Sequence, residues 1–207
     1  MIRLFGKFQR IIYSSSTNFF RRELRKKENE QFLKFINSYI PKNGIVVDIG
    51  CGPGRFCELL SKKYPDLVIK AIDSVPGFLG KNKNNLRYLQ VNAESLPFQD
   101  ESIDVVYLID VLHHIKDKEK AVSEIARILK KDGVVIFRDI VNQGFFSYPK
   151  YKFIDLSCFY YSFYLPRYWS REEWVKNLGK HNLNLIKEEE STDGLKYLAF
   201  KKQRVDF

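Results

Sequence analysis

The hydrophobic pattern predicts short buried strands alternating with amphipathic helices. Apolar-rich runs that predict strands occur five times: 45–47, 67–72, 86–91, 103–109 and 134–140. The run 103–109 is nearly all apolar, as expected of a central strand covered on both faces. Between the last two runs, residues 118–130 have apolar positions at helical spacing. Two later segments, 183–189 and 195–201, predict a closing hairpin joined through Asp193-Gly194. This order indicates an α/β fold with a mainly parallel sheet.

The first predicted strand ends in an acidic residue and a glycine-rich turn. Asp48 is followed by Gly50, Gly52 and Gly54, and a helix is predicted from about Glu58. In open α/β sheets, ligands bind beyond the carboxyl ends of the strands. A dinucleotide fingerprint requires a glycine where this chain has Arg55, and the lysine of a phosphate-binding Walker loop is absent. A turn that only joins strand to helix is the alternative.

The D-x-G-x-G-x-G pattern resembles that of the class I S-adenosylmethionine-dependent methyltransferases, in particular the type 11-like ones. The segment Asn92–Phe98 is similar to their D-A-x-x-L-P-F segment, and Leu112-His113-His114 matches their Leu-His-His signature. The resemblance covers about residues 41–202. It implies a Rossmann-like, doubly wound sheet of seven strands in the order 3214576, with the last strand antiparallel, and S-adenosylmethionine as the cofactor. A carboxylate suits this ligand, which carries an ammonium and a sulfonium and no phosphate.

The resemblance also implies the cofactor-binding residues. They come from the glycine turn and from the ends of the next strands: Asp48, Gly50, Cys51, Gly52, Gly54, Asp73, Ser74, Asn92, Ala93, Glu94 and Asp110. Asp73 lies nineteen residues after Gly54, where an acid accepts hydrogen bonds from ribose hydroxyls in nucleotide folds. Asp73 could instead cap the following segment. Asn92 replaces the family's acid, and its amide oxygen can still accept from an adenine amine.

His113 and His114 are the candidate catalytic residues, because histidine titrates near neutrality and can act as a general base. The alternative for either ring, preferred when each is taken separately, is packing under the cofactor or bonding to a backbone carbonyl. Methyl transfer needs no covalent residue, since its main requirement is orientation. The cysteines, Cys51, Cys57 and Cys158, lack metal-ligand spacing, so no metal is expected and reduced thiols in the cytoplasm are the default.

A single structural domain is predicted, with residues 1–40 as a basic helical arm and 41–207 as the S-adenosylmethionine-binding domain. The net charge of +10 is concentrated at the start: residues 1–44 hold ten Lys or Arg against three Asp or Glu. We expect the arm to form a lid on the sheet, in preference to a contact with RNA or an anionic membrane. The aromatic-rich insertion 141–169 predicts a cap over the substrate, with a satellite core or a dimer surface as alternatives.

The leading functional hypothesis is methyl transfer, by in-line displacement, to a small-molecule or lipid-like acceptor, because an aromatic cap would enclose an apolar pocket. The Asn/Asp-Pro-Pro-aromatic tetrad that holds exocyclic amines is missing after the fourth strand, where residues 109–112 read Ile-Asp-Val-Leu. One alternative is a tRNA or other RNA methyltransferase, and a second is a non-catalytic binding protein. Without a transmembrane run or secretory signal, a cytoplasmic location is expected, with peripheral membrane attachment through the arm as an option.

Overall fold

The computed structural model describes residues 19–75, 79–142 and 167–204, with side chains from residue 26 onward. Its helices and strands alternate along the chain as the hydrophobic pattern predicts. They are α1 (Phe19–Ile36), β1 (Gly44–Ile49), α2 (Arg55–Lys63), β2 (Leu67–Asp73), β3 (Leu86–Gln90), β4 (Ile103–Ile109), a short 3₁₀ turn (Leu112–His114), α3 (Lys118–Ile128), β5 (Leu129–Asp139), α4 (Arg171–Gly179), β6 (Leu183–Glu190) and β7 (Lys196–Lys202).

The strands form one seven-stranded sheet in the order β3-β2-β1-β4-β5-β7-β6. The first five strands pair in parallel, and β7 runs antiparallel to both β5 and β6. The predicted Rossmann-like fold, strand order and antiparallel last strand are therefore confirmed. The strand order reverses between β1 and β4, and in such sheets a crevice for ligands opens at this switch point.

Each face of the sheet is covered by its own layer of core residues. Phe32, Phe56 and Val46 belong to the layer that α1 and α2 form, whereas Val47 and Trp174 belong to the layer of α3 and α4. Successive β1 residues alternate between these layers because side chains of a strand point to opposite faces. Burial on both faces explains why the strands are nearly continuous apolar runs.

Helix α4 begins as the sequence predicts, whereas α3 ends earlier. Ser170 and Glu173 form a reciprocal capping box at the start of α4. The pattern predicts helix up to residue 130, but α3 ends at Ile128 because Leu129 is already extended and pairs with Ile103. The strand pairing thus takes over residues whose apolar spacing also suits a helix.

Helix α1 packs on the sheet, as the lid hypothesis requires, although closure over a substrate stays a prediction. Phe32 and Phe35 contact the Tyr197 ring at centroid distances of 5.4 and 5.2 Å. The Gln31 side-chain oxygen accepts hydrogen bonds from the backbone N–H and hydroxyl of Thr192, at 3.3 and 3.0 Å. The α1 segment from Gln31 to Ile36 is therefore an integral part of the folded core. Residues 1–18 lie outside the described part of the chain.

Most of the aromatic insertion, residues 143–166, also lies outside the described residues, so its role as a cap stays a prediction. The two ends of the insertion meet at the sheet edge, where Asn142 bridges Ser170 and its N–H donates to the Trp169 carbonyl at 2.9 Å. Within the described ranges, no helix has the length and apolarity needed to cross a membrane.

Candidate active site

The glycine turn after β1 presents one open position, at Gly52. All three of its glycines have positive φ, between 52° and 73°, a conformation that disfavours other residues. A Cβ atom at Gly50 would collide with Val111, and one at Gly54 would collide with the Tyr88 ring. A Cβ atom at Gly52 would meet nothing within 4 Å. Gly50 and Gly54 are thus required by packing, whereas Gly52 leaves room for a ligand to approach the backbone.

Asp73, at the end of β2, holds this turn in place. Its carboxylate accepts hydrogen bonds from the N–H groups of Gly52 and Val75, at 2.9 and 2.8 Å. Burial raises the pKa of Asp73, and the two backbone hydrogen bonds oppose that shift. The bond to Val75 is the turn-capping contact that the sequence offered as the alternative role. The same Asp73 carboxylate also lies beside the open Gly52 position, so Asp73 can cap the turn and contact a ribose at once. Ser74 follows and is exposed.

Asp48 faces the interior rather than the open crevice. Only 3% of the residue is exposed, and its carboxylate accepts a hydrogen bond from the Cys57 thiol at 2.8 Å. The alternation along β1 explains this placement, because Asp48 shares a face with Val46. Burial raises the pKa of Asp48 to about 7, with hydrogen bonds from Cys57 and Tyr107 acting in the opposite direction. Cys51 lies in the turn itself, and burial raises the pKa of its thiol.

The predicted adenine-edge segment lies after β3. The Asn92 side-chain oxygen accepts from the N–H of Glu94 at 3.0 Å, and the Glu94 carboxylate accepts from the N–H of Asp117 at 3.1 Å. Asn92 is exposed and Ala93 is buried. The Asn92 oxygen has a second lone pair that can accept from a ligand amine. The contact of this segment with adenine stays a prediction.

His113 and His114 stack on each other after β4, with ring centroids 4.0 Å apart. Nδ1 of His113 lies 2.6 Å from Oδ1 of Asp139, and both residues are buried. Desolvation, to which the neighbouring His113 adds, lowers the pKa of His114 to about 4. His114 is therefore neutral at physiological pH and a weak base, whereas His113 has a carboxylate partner.

Asp110 directly follows β4 and joins a charged cluster. Its φ of 57° is in the left-handed region, and its carboxylate pairs with the buried Arg138 at 2.5 Å. The same guanidinium contacts Asp193 of the β6–β7 turn at 2.5 Å and Glu28 of α1 at 3.5 Å. Arg138 thus connects a predicted site residue to the N-terminal helix and to the closing hairpin.

Residues 47–137 match a family model described as a methyltransferase domain. This segment contains the glycine turn, Asp73 and the histidine pair, and it lies in a sheet with the class I strand order. This part of the chain is similar to a methyltransferase domain, and the sheet around it has the class I fold. The matched segment ends just before Arg138 and Asp139. The family model therefore does not cover the Asp139 carboxylate that contacts His113.

Several known methyltransferases are similar to this domain. The chain is 30% identical over 120 residues to the ubiquinone/menaquinone biosynthesis C-methyltransferase UbiE of Campylobacter jejuni, an alignment that covers 54% of this chain and 50% of UbiE. It is 36% identical over 100 residues to the Bacillus subtilis methyltransferase YcgJ, covering 45% of this chain and 40% of YcgJ. The chain thus spans about half the length, or less, of these curated relatives.

The solved structure of Haemonchus contortus phosphoethanolamine N-methyltransferase 2 in complex with S-adenosyl-L-methionine has the same fold. It superposes with a TM-score of 0.69 at 18% identity, covering 84% of this chain and 53% of that one. At this identity, the similarity is evidence for the fold alone.

Asp139 and Arg138 lie near the candidate site, and the sequence motifs alone do not point to them. Both lie at the end of β5, within an otherwise apolar run, and both are at most 5% exposed. Charged residues are rarely buried unless they are paired, so two adjacent charges in a central strand were an available signal. Their partners, His113 and Asp110, follow the neighbouring strand β4, and only the sheet pairing brings them together.

Proposed function

We propose that this chain binds S-adenosylmethionine over Gly52 and transfers its methyl group to a small or lipid-like acceptor. The observation that carries the proposal is the open space at Gly52, beside the Asp73 carboxylate at the switch point of the sheet. A ligand can approach the backbone there as closely as the absence of a Cβ atom allows.

The chemistry of the site supports S-adenosylmethionine over a nucleotide with phosphates. Asp73 is a carboxylate beside the turn, and a carboxylate can accept from ribose hydroxyls but repels phosphate. The described turn carries no lysine to offset that repulsion, and Arg55, at the start of α2, is its one basic neighbour in sequence. S-adenosylmethionine has hydroxyl, ammonium and sulfonium groups, which are compatible with an acidic site.

Transfer of the methyl group is an in-line displacement at carbon, with the acceptor atom opposite the sulfur. The contribution of the protein is to hold acceptor and donor in that line, which can lower the barrier by about 7–11 kcal/mol. The glycine turn and the His113–His114 turn follow the carboxyl ends of β1 and β4, two paired strands. Donor and acceptor are therefore assigned to neighbouring positions along one edge of the sheet.

One comparison supports a small or lipid-like acceptor. The relative UbiE is named for ubiquinone and menaquinone biosynthesis. The chain matches only half of UbiE, so the acceptor is a hypothesis about chemical class. Within that class we favour a quinol-like ring, because UbiE is a relative with detectable sequence identity whose name states a quinone product.

Calorimetry with S-adenosylmethionine tests the proposal directly. We expect wild-type protein to bind and Gly52→Val to lose at least about 100-fold in affinity, equivalent to about 2.7 kcal/mol, because the branched side chain fills the open space. Gly179→Val is the matched control, since a Cβ atom there also meets nothing within 4 Å but lies at the far end of α4. Equal affinities of a folded Gly52→Val protein and the control would refute the assignment.

The alternative of an RNA or tRNA acceptor stays a prediction, and it depends mainly on the basic residues of the arm. A salt series on tRNA binding tests it, because phosphate contacts give affinities that fall steeply with salt concentration. Anionic vesicles in the same series test peripheral membrane attachment. Methyl label appearing in RNA, and not in small-molecule or lipid fractions of a cell extract, would favour the alternative.

A further inference from the structure

Asp139 and His113 form a buried pair at the end of two neighbouring strands. Asp139 is the last residue of β5, and His113 lies in the turn after β4, so the parallel pairing of these strands brings them together. The Nδ1–Oδ1 distance is 2.6 Å, and His113 is 7% exposed and Asp139 1% exposed. A histidine whose ring is oriented by a buried carboxylate is the arrangement used for general bases.

The other contacts of Asp139 determine which ring nitrogen carries the proton. Oδ2 accepts from the N–H of Leu112 at 3.0 Å, and Oδ1 accepts from the N–H of Ile140 at 2.7 Å. Backbone N–H groups can only donate, so both carboxylate oxygens are committed as acceptors. Nδ1 of His113 must then donate its proton to Oδ1. In the neutral ring, the lone pair consequently lies on Nε2.

We propose that Asp139 is a positioning residue that fixes Nε2 of His113 as the base for the methyl acceptor. The acceptor is then a group that must lose a proton: a hydroxyl, or a ring carbon activated by one, as in a hydroquinone. This inference rests on the proposed methyltransferase function and narrows its substrate class.

Methyl transfer to a hydroquinone forms one carbon–carbon bond, breaks one carbon–sulfur bond and releases one proton. The ring carbon next to a hydroxylated carbon forms a bond to the methyl carbon, while the bond from methyl to sulfur breaks and its electron pair stays on sulfur. Nε2 of His113 accepts the proton that the acceptor loses. If that proton comes from the hydroxyl as attack begins, the ring proton of the resulting dienone moves to the oxygen and restores the aromatic ring; otherwise the ring carbon gives its proton to Nε2 after attack. The imidazolium that forms is stabilised by the Asp139 carboxylate on Nδ1. The products are the methylated hydroquinone, S-adenosylhomocysteine and a proton later released to solvent.

Several further groups lie near His113. The His114 and Tyr168 rings lie at centroid distances of 4.0 and 5.0 Å, from the same turn and from the chain before α4. Lys118 and Arg167 line the same small cavity as His113, Asp139 and the tryptophans Trp169 and Trp174. The carboxylate of Asp110 also interacts electrostatically with His113. The assignment of the base therefore has to be tested on the ring itself and not on a pH profile alone.

Nitrogen-15 NMR of histidine-labelled wild-type protein tests the tautomer without any substrate. The sequence contains three histidines, so His114→Gln and His181→Gln assign the His113 signals by elimination. At pH 8.5 we expect a protonated Nδ1 and an unprotonated Nε2. A ring protonated on Nε2 and not on Nδ1 would overturn the proposal. This measurement stands even if Asp139 variants fail to fold.

Turnover variants test the role in catalysis. With labelled S-adenosylmethionine and menadiol as the hydroquinone probe, we expect Asp139→Asn to lower kcat at least about tenfold and His113→Gln about 100-fold or more. The affinity for S-adenosylmethionine should stay within about twofold, because neither residue is assigned to its site. His181→Gln, at the far end of α4, is the control that should keep full turnover. The pH at which kcat reaches half its plateau should change in Asp139→Asn.

Three results distinguish a failure of the Asp139–His113 assignment, of the acceptor class and of the proposed function. An Asp139→Asn protein that melts earlier but keeps the wild-type kcat and pH profile would show that Asp139 only supports the backbone. Methylation of phosphoethanolamine, with none of menadiol, would overturn the acceptor class. A wild-type protein that does not bind S-adenosylmethionine would refute the proposed function, whereas the tautomer measurement would still test the Asp139–His113 pair.

Discussion

Replacing Asp48 by asparagine should stabilise the ligand-free protein at neutral and basic pH. Asp48 lies inside the layer between the sheet and α2, only 3% exposed, with the Cys57 thiol and the Tyr107 hydroxyl as its polar partners. Burial raises the pKa of its carboxyl from its ordinary value of 3.8 to about 7. The folded state therefore retains a proton that the unfolded chain releases above about pH 4.

The sign and size of the effect follow from this difference. Because the folded pKa is the higher one, ionisation of Asp48 costs nothing below pH 3.8, costs progressively more as the pH rises to 7, and stays constant above it. Three pKa units correspond to about 4 kcal/mol, as an order of magnitude. Between pH 5 and pH 8 this cost increases by about 2–3 kcal/mol. An asparagine side chain does not ionise, so this cost is absent. It can still form hydrogen bonds with the Cys57 thiol and the Tyr107 hydroxyl.

Urea unfolding of wild type and Asp48→Asn at a series of pH values from 5 to 8 measures the effect. The difference in unfolding free energy between the two proteins should grow with pH, in favour of the variant. This difference isolates Asp48 from other titrating groups, such as His114, whose lowered pKa affects both proteins equally. A difference in unfolding free energy that does not vary with pH would refute the reasoning. A variant that loses stability relative to wild type between pH 5 and pH 8 would show an effect of the opposite sign.

Two further predictions concern the glycine turn. Gly54→Ala should destabilise the protein by about 2 kcal/mol or more, because the new Cβ atom collides with Tyr88 and φ is 73°. In urea unfolding, the double variant Gly54→Ala/Tyr88→Leu should recover part of this lost stability. No recovery would exclude the collision as the cause. Asp73→Ala should weaken S-adenosylmethionine binding in calorimetry by roughly 1.5–3 kcal/mol. It should also lower the melting temperature, because two backbone N–H groups lose their acceptor; unchanged affinity with a lower melting temperature would leave Asp73 with the turn-capping role alone.

Local patterns were sufficient to predict most of the fold. The apolar runs, the glycine turn and the capping box at Ser170 each have a physical cause within a few residues of sequence. The strand order came from the family resemblance and was confirmed. The end of α3 could not be predicted because the apolar residues Ile128 and Leu129 suit a helix as well as a strand, and pairing with β4 decides between them.

The site was predicted in composition but not in arrangement. The sequence placed Asp48 among the ligand contacts, but strand alternation turns its carboxylate into the core, where burial raises its pKa. It treated the three glycines of the turn alike, whereas only the surrounding side chains, Val111 and Tyr88, distinguish the packing glycines from the open Gly52.

By itself, the sequence determined the kind of fold and the residue types that gather at one edge of the sheet. Secondary structure periodicity and turn chemistry act over short distances, so they can be inferred from neighbouring residues. The tertiary structure alone decided which side chains meet: Asp139 with His113, and Arg138 with Asp110, Asp193 and Glu28. These partners are 26 to 110 positions apart along the chain. Only the pairing of β4 with β5, and the packing of α1 and the hairpin against them, brings such groups within hydrogen-bonding distance.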